Sequence, residues 1–360
     1  MHNRTDPIRL SVIGAGLVGQ RHARNAAAHP DFELAWIVDP DPSRQHLADE
    51  LGCRIVKSLE DVPANDCAAA IVATPNADHL PTGLKCLDRN WSTLIEKPVA
   101  DTVDNGEKLV AAFEERKLPL LVGHHRRYHP SVDKAMDLIN SQTLGAPVSA
   151  SLIWAVRKPD SYFEAGAWRR DKDGGPLLIN FIHEADLLVG LFGPVREVQA
   201  MVSSHARGSL IEDSAAILIR FASGVMASVM LTDAALTPWS FEGASGENPT
   251  IAETGVSSWR IGCTAGSFEF PGLRVWTDAK DAEGDWSRPL KDHTLQVARV
   301  DPLHEQLTHF AQLINGHESE PKISGRDGLE ALRLVEAVRA AAQSGRPIPV
   351  TAPASNAKIV

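Results

Sequence analysis

Short apolar runs alternate with helix-period segments along the first third of the chain. IRLSVIG (8–14), LAWIVD (34–39), AAAIVAT (68–74), TLIEK (93–97) and LLVGH (120–124) read as strands, with helical patterns near 17–29, 43–51, 78–90 and 102–117. That rhythm predicts βαβ units and a parallel sheet. From about residue 147 the pattern changes to longer alternating runs: VSASLIWAV, REVQAMVSSH, SAAILIRFA, GVMASVMLT, SWRIGCT and GSFEFPG. Alternation of this kind predicts an antiparallel sheet with one face packed on helices and the other open. The expected fold class is α/β, with a Rossmann dinucleotide-binding domain over 1–124. An α+β domain with a large, mostly antiparallel open sheet follows over 125–360. The stretch WSFEGASGENPTIAETGVSSW (239–259) is polar, glycine-containing and irregular, and it reads as a long loop near the substrate or a subunit boundary.

One window breaks the simple pattern. LLINFIHEADLLVGLFG (177–193) is apolar almost all round, yet it carries Asn180, His183, Glu184 and Asp186. At about 100° per residue, Asn180, His183 and Glu184 fall within about one third of a helix circumference. The stripe therefore faces something polar; the plain alternative is a core histidine satisfied by backbone. Ile179, on the neighbouring line of the wheel, is expected to pack in the core.

The turn after the first strand reads G-A-G-L-V-G, with Gly14, Gly16 and Gly19 at a strand-to-helix junction and Asp39 ending the second strand. In that context the glycines form a dinucleotide fingerprint. Gly14 permits the tight turn, Gly16 lets backbone approach a pyrophosphate, and Gly19 lets the helix pack close, with phosphates at its N-terminus. Asp39 can accept from both ribose hydroxyls and would repel a 2′-phosphate, so NAD is expected and NADP disfavoured. Arg44 is the one nearby cation that could weaken that preference.

Composition narrows the classes. A chain of 360 residues suits about two domains. A formal net charge of −10 argues against non-specific nucleic-acid binding. No apolar run has the length of a membrane span, and no leader is visible before the first strand, so a cytoplasmic location is expected. The cysteines, Cys53, Cys67, Cys86 and Cys263, form no C-x-x-C pair, and the histidines lack liganding spacing such as H-E-x-x-H, so neither disulfide nor metal is expected. The basic run HHRRYH (124–129) reads as lining a pocket or a domain junction.

VIGAGLVGQRHA (12–23), VATPNADHLPTG (72–83), EKP (96–98), GHHRRYHP (123–130), WRR (168–170) and GGPLLINFIHEAD (174–186) together resemble the Gfo/Idh/MocA family, the group of glucose–fructose oxidoreductase and inositol dehydrogenases. The helix carrying GRDG after residue 325 is similar to the family's last helix. The resemblance implies that Leu17, Val18, Thr74, Pro75, Asn76, His79, Glu96, Lys97, Trp168 and Arg169 serve the cofactor, with a cis bond before Pro98. It implies that Lys97 and His183 handle the proton of a substrate hydroxyl. Lys97 independently lies just past a parallel strand end, where open α/β sheets place ligands. An ammonium there can orient a hydroxyl, and an imidazole titrates in the range that alcohol oxidation needs. Where many members carry an aspartate one turn before the histidine, this chain has Ile179; Asn180 beside it can donate or accept but cannot take up a proton. Tyr162 is a candidate hydroxyl donor to substrate, whereas Arg127 looks like a domain-junction residue and Asp186 structural.

The expected function is therefore NAD-dependent oxidation of a secondary alcohol of a sugar, inositol or related cyclic polyol. The expected assembly is a homodimer or homotetramer formed through the open sheet, with no nucleic acid or membrane partner. Alternatives are a dihydrodiol or other non-sugar dehydrogenase on the same scaffold, and an NAD-binding regulator without turnover.

Overall fold

Six strands form the first sheet, and in five of them residues such as Val12, Ile37, Ile71, Leu94 and Leu121 have no exposed surface. The six are β1 (Ile8–Ile13), β2 (Phe32–Val38), β3 (Arg54–Val56), β4 (Ala69–Val72), β5 (Ser92–Ile95) and β6 (Leu120–Val122). All pairings are parallel, in the order β3-β2-β1-β4-β5-β6. Helices α1 (Leu17–Ala28), α2 (Gln45–Leu51), α3 (His79–Asp88) and α4 (Val103–Arg116) connect them. Strands covered on both faces must be apolar throughout, which is why these runs do not alternate. The computed structural model describes residues 6–164, 166–170, 174–278 and 286–350.

The second sheet has nine strands: β7 (Pro147–Ala155), β8 (Val195–Ser203), β9 (Ser214–Phe221), β10 (Met226–Thr232), β11 (Trp259–Cys263), β12 (Gly266–Phe270), β13 (Arg274–Asp278), β14 (Leu290–Thr294) and β15 (Ile348–Pro349). Their order is β14-β13-β12-β11-β7-β10-β9-β8-β15, antiparallel except for β7 beside β10. Burial alternates along β9 and β10, so one face is core and the other open. Rows such as Met201–Ala216–Met230–Ile153 run across that open face in register. Helices α5 (Pro130–Asn140), α6 (Asp160–Glu164), α7 (Ile182–Phe192) and α8 (Phe241–Ser245) belong with this sheet; α8 opens the 239–259 stretch, which is otherwise irregular.

Helix α9 (Pro302–Ile314) returns to the first sheet, where Leu307, Phe310 and Ala311 join the core of β1 and β2. Two compact units result: 1–128 with 300–332, and 129–299 with 333–360. Segment 300–332 thus belongs with the first unit and not with the second domain expected over 125–360. The last long helix, α10 (Gly325–Ser344), starts in the first unit, where Gly325 and Gly328 pack against Val110 and Val122.

The window 177–193 is not one regular helix. A π-turn over Leu177–Phe181 precedes α7. A π-turn winds more residues into each turn, so a 100° wheel assigns the wrong faces before Ile182. Ile179 is consequently half-buried rather than in the core.

Candidate functional site

In the first unit the carboxyl ends of β1, β2, β4 and β5 converge. Gly14 adopts a positive φ of 88°, and a Cβ there would lie 2.6 Å from the Ala73 carbonyl oxygen. A Cβ on Gly19 would sit 1.9 Å from the Gly14 oxygen, so only glycine lets α1 start this close to the turn. Above Gly16, by contrast, nothing lies within 4 Å. That open backbone at a helix start, with exposed Leu17 and Val18 beside it, fits a pyrophosphate. Asp39 Oδ2 accepts from the Ala15 N–H at 2.6 Å and Oδ1 from the Asp41 N–H at 2.9 Å. A carboxylate offers about four acceptor positions, so it retains capacity for ribose hydroxyls. Arg44 is paired with Asp41 at 3.2 Å. Just past β4 the Thr74 hydroxyl is buried with no hydrogen-bond partner among the described residues, a polar atom that a bound dinucleotide would satisfy. The donor set and the open cradle fit NAD.

The EKP segment follows β5. Glu96 is buried and accepts from His22 Nε2 at 2.7 Å and from the Lys97 N–H at 3.1 Å. Burial pushes its carboxyl pKa up, but the His22 hydrogen bond and the nearby charges of His22, Lys97 and His125 win, holding it at about 2. Glu96 is thus a buried anion that fixes the backbone from which half-buried Lys97 extends, rather than an open cofactor ligand. The Lys97–Pro98 bond is cis, as the resemblance implied. His79 is wholly buried, with Nδ1 2.7 Å from Pro98 O and Nε2 3.0 Å from Thr74 O. It ties the Thr74 loop to the Lys97–Pro98 loop from beneath. Pro75 and Asn76 stand on the outer side of that same loop, exposed and half-buried respectively. The run at 124–129 is buried in part: His124, Arg126 and Arg127 are each less than a tenth exposed.

In the second unit His183 is buried at 8% exposure, in the first turn of α7. The carboxylates around it go inward. Glu184 accepts from the Trp259 indole at 2.9 Å, and Asp186 is buried, so the polar stripe expected from the sequence is split between the core and a wetter side. Asn180, in the π-turn, points its Oδ1 at Lys158 Nζ, 2.7 Å away. Lys158 Nζ also lies 3.4 Å from Asp233 Oδ2 and near the rings of Trp154 and Tyr162, at 5.8 and 5.0 Å. Arg207 Nε holds the other oxygen of Asp233 at 2.7 Å. Burial lowers the Lys158 pKa, with Asp233 opposing and Arg207 reinforcing the shift. Burial raises that of the Tyr162 phenol, which therefore remains an O–H donor. Arg169 stacks on Tyr162 at 4.1 Å and donates from Nη1 to the Tyr162 carbonyl at 2.5 Å. The Trp168 side chain lies outside the described residues.

Lys158, Arg207 and Asp233 were not read from the sequence as site residues, nor was His22. A lysine four residues before Tyr162 and a histidine three after Gly19 were the available signals, both weak without the fold. Among the described residues no group of three His, Cys, Asp or Glu side chains is arranged to hold a metal, and no helix is long and apolar enough to cross a membrane.

Residues 8–124 match the model described as an oxidoreductase family with an NAD-binding Rossmann fold, and 132–269 match the GFO/IDH/MocA C-terminal domain. Similar curated proteins include 1,5-anhydro-D-fructose reductase of Ensifer adhaerens, 26% identical over 94% of this chain and 97% of that one. Inositol 2-dehydrogenase of Rubrobacter xylanophilus is 33% identical over 41% of this chain and 44% of that one. The chain spans about half the length of several curated relatives it matches, and nearly all of others. An Agrobacterium radiobacter oxidoreductase solved with NAD+ superposes with a TM-score of 0.79 at 17% identity, covering 96% of this chain and 99% of that one, which shows a shared fold.

Proposed function

The chain belongs to the Gfo/Idh/MocA oxidoreductase family, and from that premise we propose that it is an NAD-dependent dehydrogenase oxidising a secondary alcohol of a sugar, inositol or related cyclic polyol. The observation that carries the reading is the cradle at Gly14–Gly19 with Asp39 beside it, next to a lysine anchored by a buried glutamate. Relatives named for inositol and anhydro-sugar chemistry support the substrate class. Bound NAD supplies a hydride acceptor. Asp39 holds the adenosine ribose and disfavours a 2′-phosphate, while Arg44, paired with Asp41, is drawn away from that role. Lys97 orients the substrate hydroxyl through its ammonium. Its positive charge lowers the hydroxyl pKa, and the proton released as hydride leaves passes to the neutral imidazole of His183. His183 is the second proton-handling group, acting without the carboxylate that Ile179 replaces. Glu96 and His79 hold the two loops; they do not exchange protons with substrate.

The open sheet face supports self-association as a homodimer or homotetramer. Leu218, Met226 and Met230 are each about half exposed there, and Met201 is more so. Leu218 and Met226 also line a shallow groove with Ser149, Ser151, Arg260 and Trp276.

The test is isothermal titration with NAD and NADP, followed by a panel of sugars and cyclic polyols monitored for NADH. The reading expects NAD to bind at least about tenfold more tightly than NADP, and at least one panel member to be oxidised. Equal affinities would remove Asp39 from its role, and NAD binding with no turnover on any polyol would favour a regulator.

A further inference from the structure

Lys158 and Asn180 determine each other's chemistry. An ammonium has only hydrogens to offer, so the atom of Asn180 that faces Lys158 at 2.7 Å must be the oxygen. The amide nitrogen is thereby turned the other way, and it has no acceptor among the described residues. Lys158 reaches two acceptors, Asn180 Oδ1 and Asp233 Oδ2, which leaves its third hydrogen without one among the described residues. The hydroxyl of Tyr162, whose ring lies 5.0 Å from the ammonium, likewise has no hydrogen-bond partner there. Three neighbouring side chains thus present N–H and O–H groups with little acceptor capacity between them. Their charge points the same way. Lys158 and Arg207 share the single carboxylate of Asp233, and Arg169 stacks on Tyr162 from 4.1 Å.

Each hydroxyl of a neutral polyol brings a donor hydrogen along with its two acceptor lone pairs, so a hydroxyl ring would set hydrogens against a group of side chains with few acceptors for them. A carboxylate, which only accepts and carries charge, matches it fully, and charge-assisted hydrogen bonds are the strong ones. We infer that Lys158, Asn180 and Tyr162 form a subsite for a carboxylate substituent, so that the substrate is a polyol acid of the aldonate or uronate class. This rests on the dehydrogenase reading above and narrows its substrate. Lys158 acts in two ways, as a charge partner and as the residue that holds Asn180 in its donating orientation.

Matched probes test it: D-glucose against D-gluconate and D-glucuronate, and D-galactose against D-galactonate and D-galacturonate, each with NAD and followed for NADH. The acids should exceed their neutral parents in kcat/KM by at least about tenfold, the scale of one or two charge-assisted hydrogen bonds. Asn180→Asp keeps a partner for Lys158 but replaces the free donors with negative charge. It should abolish or invert the preference, mainly through KM. Lys158→Arg should keep part of the preference and Lys158→Met should lose it, with NAD affinity unchanged in both. Neutral parents used as well as the acids, or an acid preference untouched by Asn180→Asp, would overturn the subsite. If no probe yields NADH, melting of the NAD-loaded protein separates the two readings. Stabilisation by the acids over the neutral sugars that vanishes in Asn180→Asp supports the subsite while the dehydrogenase reading falls. Equal melting with acid and neutral sugars overturns the subsite itself.

Discussion

The proposed choice of cofactor turns on a single side chain, Asp39. It is already oriented in this structure by the Ala15 and Asp41 amides, so a ribose meets a carboxylate that need not be ordered on binding. Asp39→Ala should shrink the preference for NAD over NADP from at least about tenfold towards parity, as read by titration. His22 and Glu96 give a second residue-level test. The fold lowers the Glu96 pKa to about 2 from its ordinary 4.5, so its contribution is complete above pH 4.5 and is lost as the pH falls towards 2. That contribution is about 3 kcal/mol. His22→Ala leaves the glutamate buried without its histidine, and a loss of stability of about 3 kcal/mol is expected in urea melts at pH 7. A variant as stable as wild type would show that Glu96 is held by other groups. The glycines, Asp39 and Lys97 were legible because their chemistry is local to a strand end. The Lys158–Asn180 pair was not, because its members lie 22 residues apart and meet only after β7, α6 and the π-turn are placed.

Among the elements, the first sheet was readable because continuous apolar strands between helical segments have few other solutions. Strand β3 escaped because Arg54–Val56 is three residues long with no fully buried position. The π-turn escaped for a different reason: its sequence is as apolar as a helix, and only hydrogen bonding reveals the change in pitch. That change reverses an expectation about Ile179. A core isoleucine would make Ile179→Asp strongly destabilising, whereas the half-buried residue found here predicts a loss of no more than about 1 kcal/mol in thermal or urea melts. A loss of about 3 kcal/mol or more would mean that the turn packs more tightly than described. Gly19→Ala should act oppositely: its Cβ would meet the Gly14 oxygen, so α1 has to shift and NAD binding should fall by at least about 100-fold.

At the level of the whole molecule, alternation in 147–270 pointed to a sheet with one open face, and the described strands have that pattern. What could not be read was the return of 300–332 to the first unit, because an amphipathic helix does not say which sheet it covers. The open face carries the prediction about assembly. Met230→Lys places a charge in the middle of its apolar row and should shift the protein from oligomer to monomer in light scattering. An unchanged mass would move the interface elsewhere.

The central claim is hydride transfer to NAD assisted by Lys97, and it is tested most directly by turnover of Lys97→Ala on whichever polyol or polyol acid gives NADH with the wild type. The account predicts a fall in kcat of about 100-fold or more with NAD affinity retained. Near-normal turnover in Lys97→Ala would contradict it.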